Sequence, residues 1–338
     1  MRFHTEIPAR RHIVRIQMNV AAVINVSPGQ AALSQATLTQ TLLLEHLGPQ
    51  LGSIRLAVPR LLKPACLGAI AERPDMLVVA GGPRAARRAG QIAYAHRLPI
   101  LFLPGHRSPP WARRLWGPLS LEDLVAALAK GAVTPLQLPA GVAGGQIFFG
   151  NAYCGGLPHI RQLRDDLAEV ETLAAAAKMV AETAAACGLV LRPRIAVQYQ
   201  GNLRAASAVM IGMQASQACD SDLAPRGSFD CMMWRQGAWA LARASLRTAA
   251  GRDWQGSDEP ERFCCTMVRL HAGAKTWLLL DGEAMALRGP VELRYLPSTV
   301  KTFAFASGRA RSDALPPAAF PAVPHQPWNH HRLSYVGI

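Results

Sequence analysis

From Asn19 to Lys130, short apolar runs alternate with segments of helical period. The pattern predicts strands over Asn19–Val26, Ile54–Val58, Met76–Ala80 and Ile100–Leu103, and helices over Ala32–Leu47, Ala65–Glu72 and Pro83–Tyr94. Gly48 closes the first helix, and Ser120 with Asp123 makes a capping box for a further helix to Lys130, stopped by Gly131. Alternating strands and helices predict a doubly wound α/β domain, a parallel sheet covered on both faces with ligands at the carboxyl ends of its strands. The glycine turns after the first and third strands fall at that edge.

After Gly131 the period changes. Runs of two-residue alternation or continuous apolar character recur at Gln146–Ala152, Ile195–Tyr199, Ala208–Met213, Phe229–Met233, Cys264–Leu270, Thr276–Leu280 and Val291–Tyr295. They predict a second domain of mainly antiparallel strands, sandwich-like, interrupted by one Ala-rich helix over Ile160–Cys187 and with its last strand returning to the first domain. The expected divisions are an N-terminal extension over 1–18, an α/β domain over 19–137, a β-rich domain over 138–306 and a flexible Pro-rich tail over 307–338. His325, His330 and His331 lie in that tail without partners that would organise a metal.

Composition narrows the partners. The 338 residues are 50% hydrophobic and 17% charged, which allows a substantial core. Lys plus Arg is 36 against 22 Asp plus Glu, so 36 − 22 gives +14, and the protein favours an anionic partner: lipid surface, nucleotide or nucleic acid. Aromatics make up only 6%, and neither an RNP-like aromatic strand nor a Cys/His finger spacing is present, which speaks against dedicated nucleic-acid recognition. Seven cysteines without a CxxC pair read as buried, reduced thiols of a cytoplasmic protein. The charged start and the lack of a long apolar segment leave peripheral contact with the inner face of the membrane as the expected mode.

The stretch from Met76 to Tyr94 carries the first chemical suggestion. A strand, the Gly81–Gly82 pair and a helix start make an anion site, because glycines admit close backbone approach and the unpaired N–H groups of the helix point outward. Pro83 suits the first helical turn, while Arg84, Arg87 and Arg88 crowd positive charge where the macrodipole disfavours it unless an anion is near. A solvated face of a basic protein accounts for the same arginines. Further along, Asp281–Gly282 between two apolar runs is a strong hairpin signal, and a plain turn explains it without chemistry. Ser, His and Asp occur without a GxSxG elbow, and Asp165 and Asp166 suit the first turns of their helix, so neither set marks a hydrolase.

In their order more than in their exact wording, these features resemble, over roughly Val20 to Phe305, the diacylglycerol kinase catalytic family, which includes bacterial lipid kinases and sphingosine kinases and shares its fold with NAD kinases. Asn25 and Gly29 stand where the family has NPxSG, and Gly81 and Gly82 at the first two places of its GGDGT. The segment from Trp111, WARRLWGPLSLEDLVAALAKG, the GNAYCGG from Gly150, and LLLDGEAMALRGPVELRYLP from Leu278 are similar to later family segments. The resemblance implies ATP and Mg²⁺ as cofactors, transfer of the γ-phosphoryl to a lipid hydroxyl, nucleotide contacts by Asn25, Gly29, Gly81, Gly82, Arg84 and Glu283, and catalytic roles for Asp281, as metal ligand, and Glu283.

Departures from the pattern fall on the chemistry. GGDGT is here GGPRA, so Pro83 replaces the aspartate that assists transfer in the family. PxGTxNDFAR is PGHRSPPWAR from Pro104 to Arg113, and Arg226 precedes Gly227 where a metal-side aspartate is expected. Arg84 and Arg107 supply cationic charge but neither accept a proton nor hold magnesium. Losing a general base costs ~10²–10⁴ in rate, so weak or absent kinase activity is expected. Asp220, Asp222 and Asp230 offer a second carboxylate source but read as solvated loop and strand charge. The alternative reading is a non-catalytic pseudokinase that binds a nucleotide or anionic lipid through an Arg-rich cleft.

Overall fold

The computed structural model describes residues 18–105, 108–109, 111–155, 178, 182, 195–213, 227–234 and 260–305. Residues through Gly308 form one compact unit, and the short unit from Arg309 onward, with its three histidines, lies outside the described residues. Of the expected Ile160–Cys187 helix, Lys178 and Glu182 are described and both are helical.

The first part alternates as its apolar period dictates: β1 Val20–Asn25, α1 Gln30–Leu47, β2 Leu51–Ala57, α2 Leu62–Ala71, β3 Met76–Gly81, α3 Pro83–Ala95 and β4 Ile100–Pro104. The strands pair in parallel in the order β2-β1-β3-β4. Central β1 and β3 are continuous apolar runs, buried on both faces by helices, as parallel strands require. Helix α2 starts three residues before its predicted onset; Pro64 falls in its first turn, where a missing N–H costs nothing. A short helix α4, Arg113–Trp116, precedes α5, Leu121–Ala129, whose Ser120 hydroxyl accepts from Asp123 N at 3.1 Å while the Asp123 carboxylate reaches back to the cap residue.

The second part is two six-stranded antiparallel-paired sheets. One, in the order β12-β11-β10-β7-β14-β15, takes Glu261–Cys265, Phe229–Trp234, Ala208–Gly212, Asn151–Gly155, Lys275–Leu280 and Glu283–Arg288. The other, β6-β5-β16-β13-β8-β9, takes Gln146–Phe148, Val133–Ala143, Val291–Phe305, Met267–His271, Ile195–Tyr199 and Asn202–Ala206. Three differences from the sequence reading have local causes. The predicted Gln146–Ala152 run is two strands separated at Phe149–Gly150, and the Cys264–Leu270 run is two strands that change sheets at Thr266. Strand β5 is concealed by Pro135 and Pro139; Pro139 falls where the β5–β16 register shifts, so no ladder N–H is needed there.

Two cores result, and one ribbon joins them. Val291 and Leu293 of β16 lie in the core between the antiparallel sheets, whereas Val300 and Phe305 of the same strand lie in the core around the parallel sheet. Neighbouring Phe148 and Phe149 split in the same way. The boundary between the cores therefore passes between Phe148 and Phe149. Among the described residues no helix is long and apolar enough to cross a membrane.

Candidate functional site

Strand order reverses between β1 and β3, the point at which open α/β sheets take ligands. Asn25 ends β1 and Gly81 ends β3. A Cβ added at Gly81 would lie 3.0 Å from the Asn25 Cβ and 2.7 Å from the Ala85 Cβ, so these two expected site residues touch. Gly105, just past β4, brings its backbone onto Gly81, with a Cβ there only 2.6 Å from the Gly81 Cα. What stays open there is a small cavity of about 10 Å³, room for little more than a water, lined by Asn25, Gln35, Thr39, Ala80 and Gly105 among others.

The two helix starts beside it favour an anion, whereas Asn25 offers an acceptor that calls for a hydrogen-bond donor. Asn25 Nδ2 donates to Ser27 Oγ at 3.3 Å, while its buried Oδ1 has no donor among the described residues. Helices α1 and α3 begin at this edge behind Gly29 and Gly82, and neither has a side-chain cap or an acid in its first turn. Helix α5, which begins elsewhere, has both. The uncapped starts leave N–H groups and the positive end of each dipole facing the edge.

The hairpin from the antiparallel half meets this edge. Leu280 pairs with Glu283, and the two-residue loop between them, Asp281–Gly282, has φ of +48° and +83°, the left-handed pair of a type I′ turn. Asp281 points inward at 7% exposure and accepts three backbone N–H bonds: Phe149 at 2.7 Å, Gly150 at 2.8 Å and Asn151 at 3.0 Å. Burial pushes its pKa up to about 6, against the downward pull of those amides and of Arg87. Above it, Phe102, Trp111 and Phe149 pack ring to ring at centroid separations of 5.0 to 5.9 Å.

Glu283 faces the other way, onto α3. Arg88 grips it in a fork, Nε to Oε2 at 3.0 Å and a terminal nitrogen to Oε1 at 2.7 Å, and Arg87 donates to Oε2 as well. Partial burial raises the Glu283 pKa, but the hydrogen bonds from Arg88 and Arg87 outweigh it and hold the carboxyl below its usual range. Arg88 also donates to the Pro59 carbonyl at 3.0 Å, and exposed Arg84 donates through Nε to the Gly282 carbonyl. Arg87 is 3% exposed, and its Nε has no partner among the described residues.

The site residues expected from the sequence thus come together in two contiguous groups, Asn25 with Gly81 and Gly82, and Arg84 with Asp281 to Glu283; Gly29 caps α1 on the solvent side. Magnesium does not fit them. A hard cation takes about six oxygens, yet Asp281 is committed to three amides and Glu283 to two guanidinium groups. Among the described residues no group of three or more His, Cys, Asp or Glu comes together. Asp230 is buried in β11, and Arg107, Asp220, Asp222 and Arg226 lie outside the described residues. Sequence reasoning missed the Phe149–Asn151 amides, since backbone donors carry no residue signature; their one trace was the glycine at 150.

Comparison with known proteins gives the fold. A crystal structure of a protein from Bacillus anthracis str. Sterne, proposed to be a diacylglycerol kinase, superposes with a TM-score of 0.58 at 15% identity, covering 87% of this chain and 100% of that one. Another from the same organism, described as a diacylglycerol kinase, gives 0.55 at 14% identity, over 86% and 98%. The chain has the diacylglycerol kinase-like fold. No family model and no curated protein matches it. On this kinase-like fold, the glycine turn and the Asp-Gly-Glu hairpin are neighbours, joined by Arg84.

Proposed function

We propose that this protein binds a phosphate-bearing ligand at the carboxyl edge of its parallel sheet and transfers no phosphoryl group. One observation carries the reading: both carboxylates of the hairpin are already consumed inside the protein, one by amides and one by arginines. With Pro83 opening α3 where the resembling kinases have an aspartate, the helix start carries no acid in its first turn to accept a proton. Phosphoryl transfer relies on metal ions to neutralise charge, and arginines alone position phosphates without activating a hydroxyl. The features that remain, two uncapped helix starts and an exposed Arg84, are those of an anion-binding site. Nucleotide and anionic lipid headgroup share the chemistry it takes.

Titration calorimetry with ATP, with and without Mg²⁺, tests this beside an assay with radiolabelled ATP and mixed membrane lipids. Binding independent of the metal, lost in Arg84→Glu, and no labelled lipid are expected. Labelled lipid that disappears in Asp281→Ala and Glu283→Ala would overturn the proposal in favour of a working lipid kinase.

A further inference from the structure

Three arginines of α3 converge on the hairpin, and their donors outnumber the acceptors they meet. Each guanidinium carries five N–H donors. Glu283 offers one carboxylate to Arg87 and Arg88 together, receiving three of their hydrogen bonds. Arg87 is 3% exposed with its Nε unpartnered among the described residues, and its other terminal nitrogen stands 3.5 Å from the Gln146 carbonyl oxygen of the side chain. Arg84, one helical turn earlier, rests on a neutral carbonyl. Three guanidinium charges thus stand near two carboxylates, Glu283 directly and buried Asp281 through Arg87, and the positive charge left over is where a further anion would be held.

From this arrangement we infer that Glu283 is an intramolecular stand-in for the ligand's phosphate, occupying the arginine fork until a terminal phosphate group, of a phosphate monoester or a nucleoside triphosphate, displaces it. The inference rests on the phosphate-binding reading above. A phosphate monoester brings three acceptor oxygens and about −1.5 to −2 charge against the carboxylate's two oxygens and single charge, so it satisfies more of the available donors. Glu283 is the residue able to yield: its side chain is 22% exposed and sits at the first position after a two-residue turn, so it reaches water by rotation without moving the strand. Asp281, held by three amides, stays and keeps the turn in place. In a site where Glu283 contacted the ligand directly, removing its charge would weaken binding; here it strengthens it.

The sign of that effect is the test. Binding of ATP without metal is measured by calorimetry, and binding to phosphatidylcholine vesicles with and without phosphatidic acid by sedimentation, for the full chain and for Glu283→Gln, Glu283→Asp and Arg88→Gln. Glu283→Gln is expected to tighten binding about tenfold, by removing the competing state, and Arg88→Gln to weaken it by a similar factor. Should Glu283→Gln fail to fold, Glu283→Asp, with a shorter reach to the fork, is expected to give a smaller gain. Gain with ATP alone identifies a free phosphate compound as the ligand, and gain with phosphatidic acid vesicles alone a lipid headgroup. Unchanged or weaker binding in both Glu283 variants, with the parent protein binding normally, overturns this inference and leaves the phosphate-binding reading standing. No binding of either probe to any of the proteins overturns both.

Discussion

The amide clasp around Asp281 and the guanidinium face around Glu283 hold two carboxylates of one turn by opposite means. Neutral dipoles surround the first and cations the second. The buried acid rises to a pKa of about 6 although it accepts three hydrogen bonds, while the half-buried one falls although it too is desolvated. Depth and partners both differ: Asp281 is enclosed with dipoles about it, while Glu283 is only partly enclosed and has two guanidinium groups on it. The lesson is one of division of labour: Asp281 welds the hairpin to the boundary between the cores, and Glu283 balances charge at the rim. Neither is left for metal chemistry.

The strongest way to break the comparison is Asp281→Ala, which strands three buried N–H groups and should cost roughly 3–5 kcal/mol in chemical denaturation. A loss under about 1 kcal/mol would show that the clasp does not hold the boundary.

Acidity sharpens the contrast, because the two groups have opposite signs. Asp281 has a folded pKa above its unfolded value, so its contribution is present in full below about pH 4 and is lost as pH rises through about 6. Glu283 has a lowered folded pKa, so its contribution is present above the usual carboxylate range and is lost on further acidification. Comparing the parent with Asp281→Asn across pH 4 to 7 should show the parent's relative stability falling by about 2–3 kcal/mol as pH rises. A flat difference would place the carboxylate in water.

Gly150→Ala makes the smallest change. A Cβ there would lie 2.8 Å from Asp281 Oδ1 and 3.1 Å from Trp111 Cδ1, so the clasp must open, at a cost of about 1–3 kcal/mol. Thermal melting that leaves the protein unaffected would mean the turn has room to spare.

The parallel half was legible because its signals are local. The buried runs of β1 and β3, Pro83 at a helix start and the Ser120–Asp123 box each state their role within a few residues. The Asp281–Gly282 turn was equally plain. What Asp281 does was not, since its partners lie 130 residues earlier in the chain and are backbone atoms. The pairing of Glu283 with Arg87 and Arg88 was hidden for a similar reason, as charges in a basic sequence do not announce which of them meet. Strand β5 escaped because its prolines look like breakers until the register shift opposite Pro139 removes the objection.

The 15-residue strand β16 has a mechanical consequence. Its backbone threads both cores, with Val291 and Leu293 on one side of the interruption in its ladder with β5 and Val300 and Phe305 on the other, so the residues between Leu296 and Val300 are the place where the two halves of the molecule are coupled through this strand. If a phosphate displaces Glu283 as inferred above, selectivity becomes a matter of which anion outcompetes one glutamate.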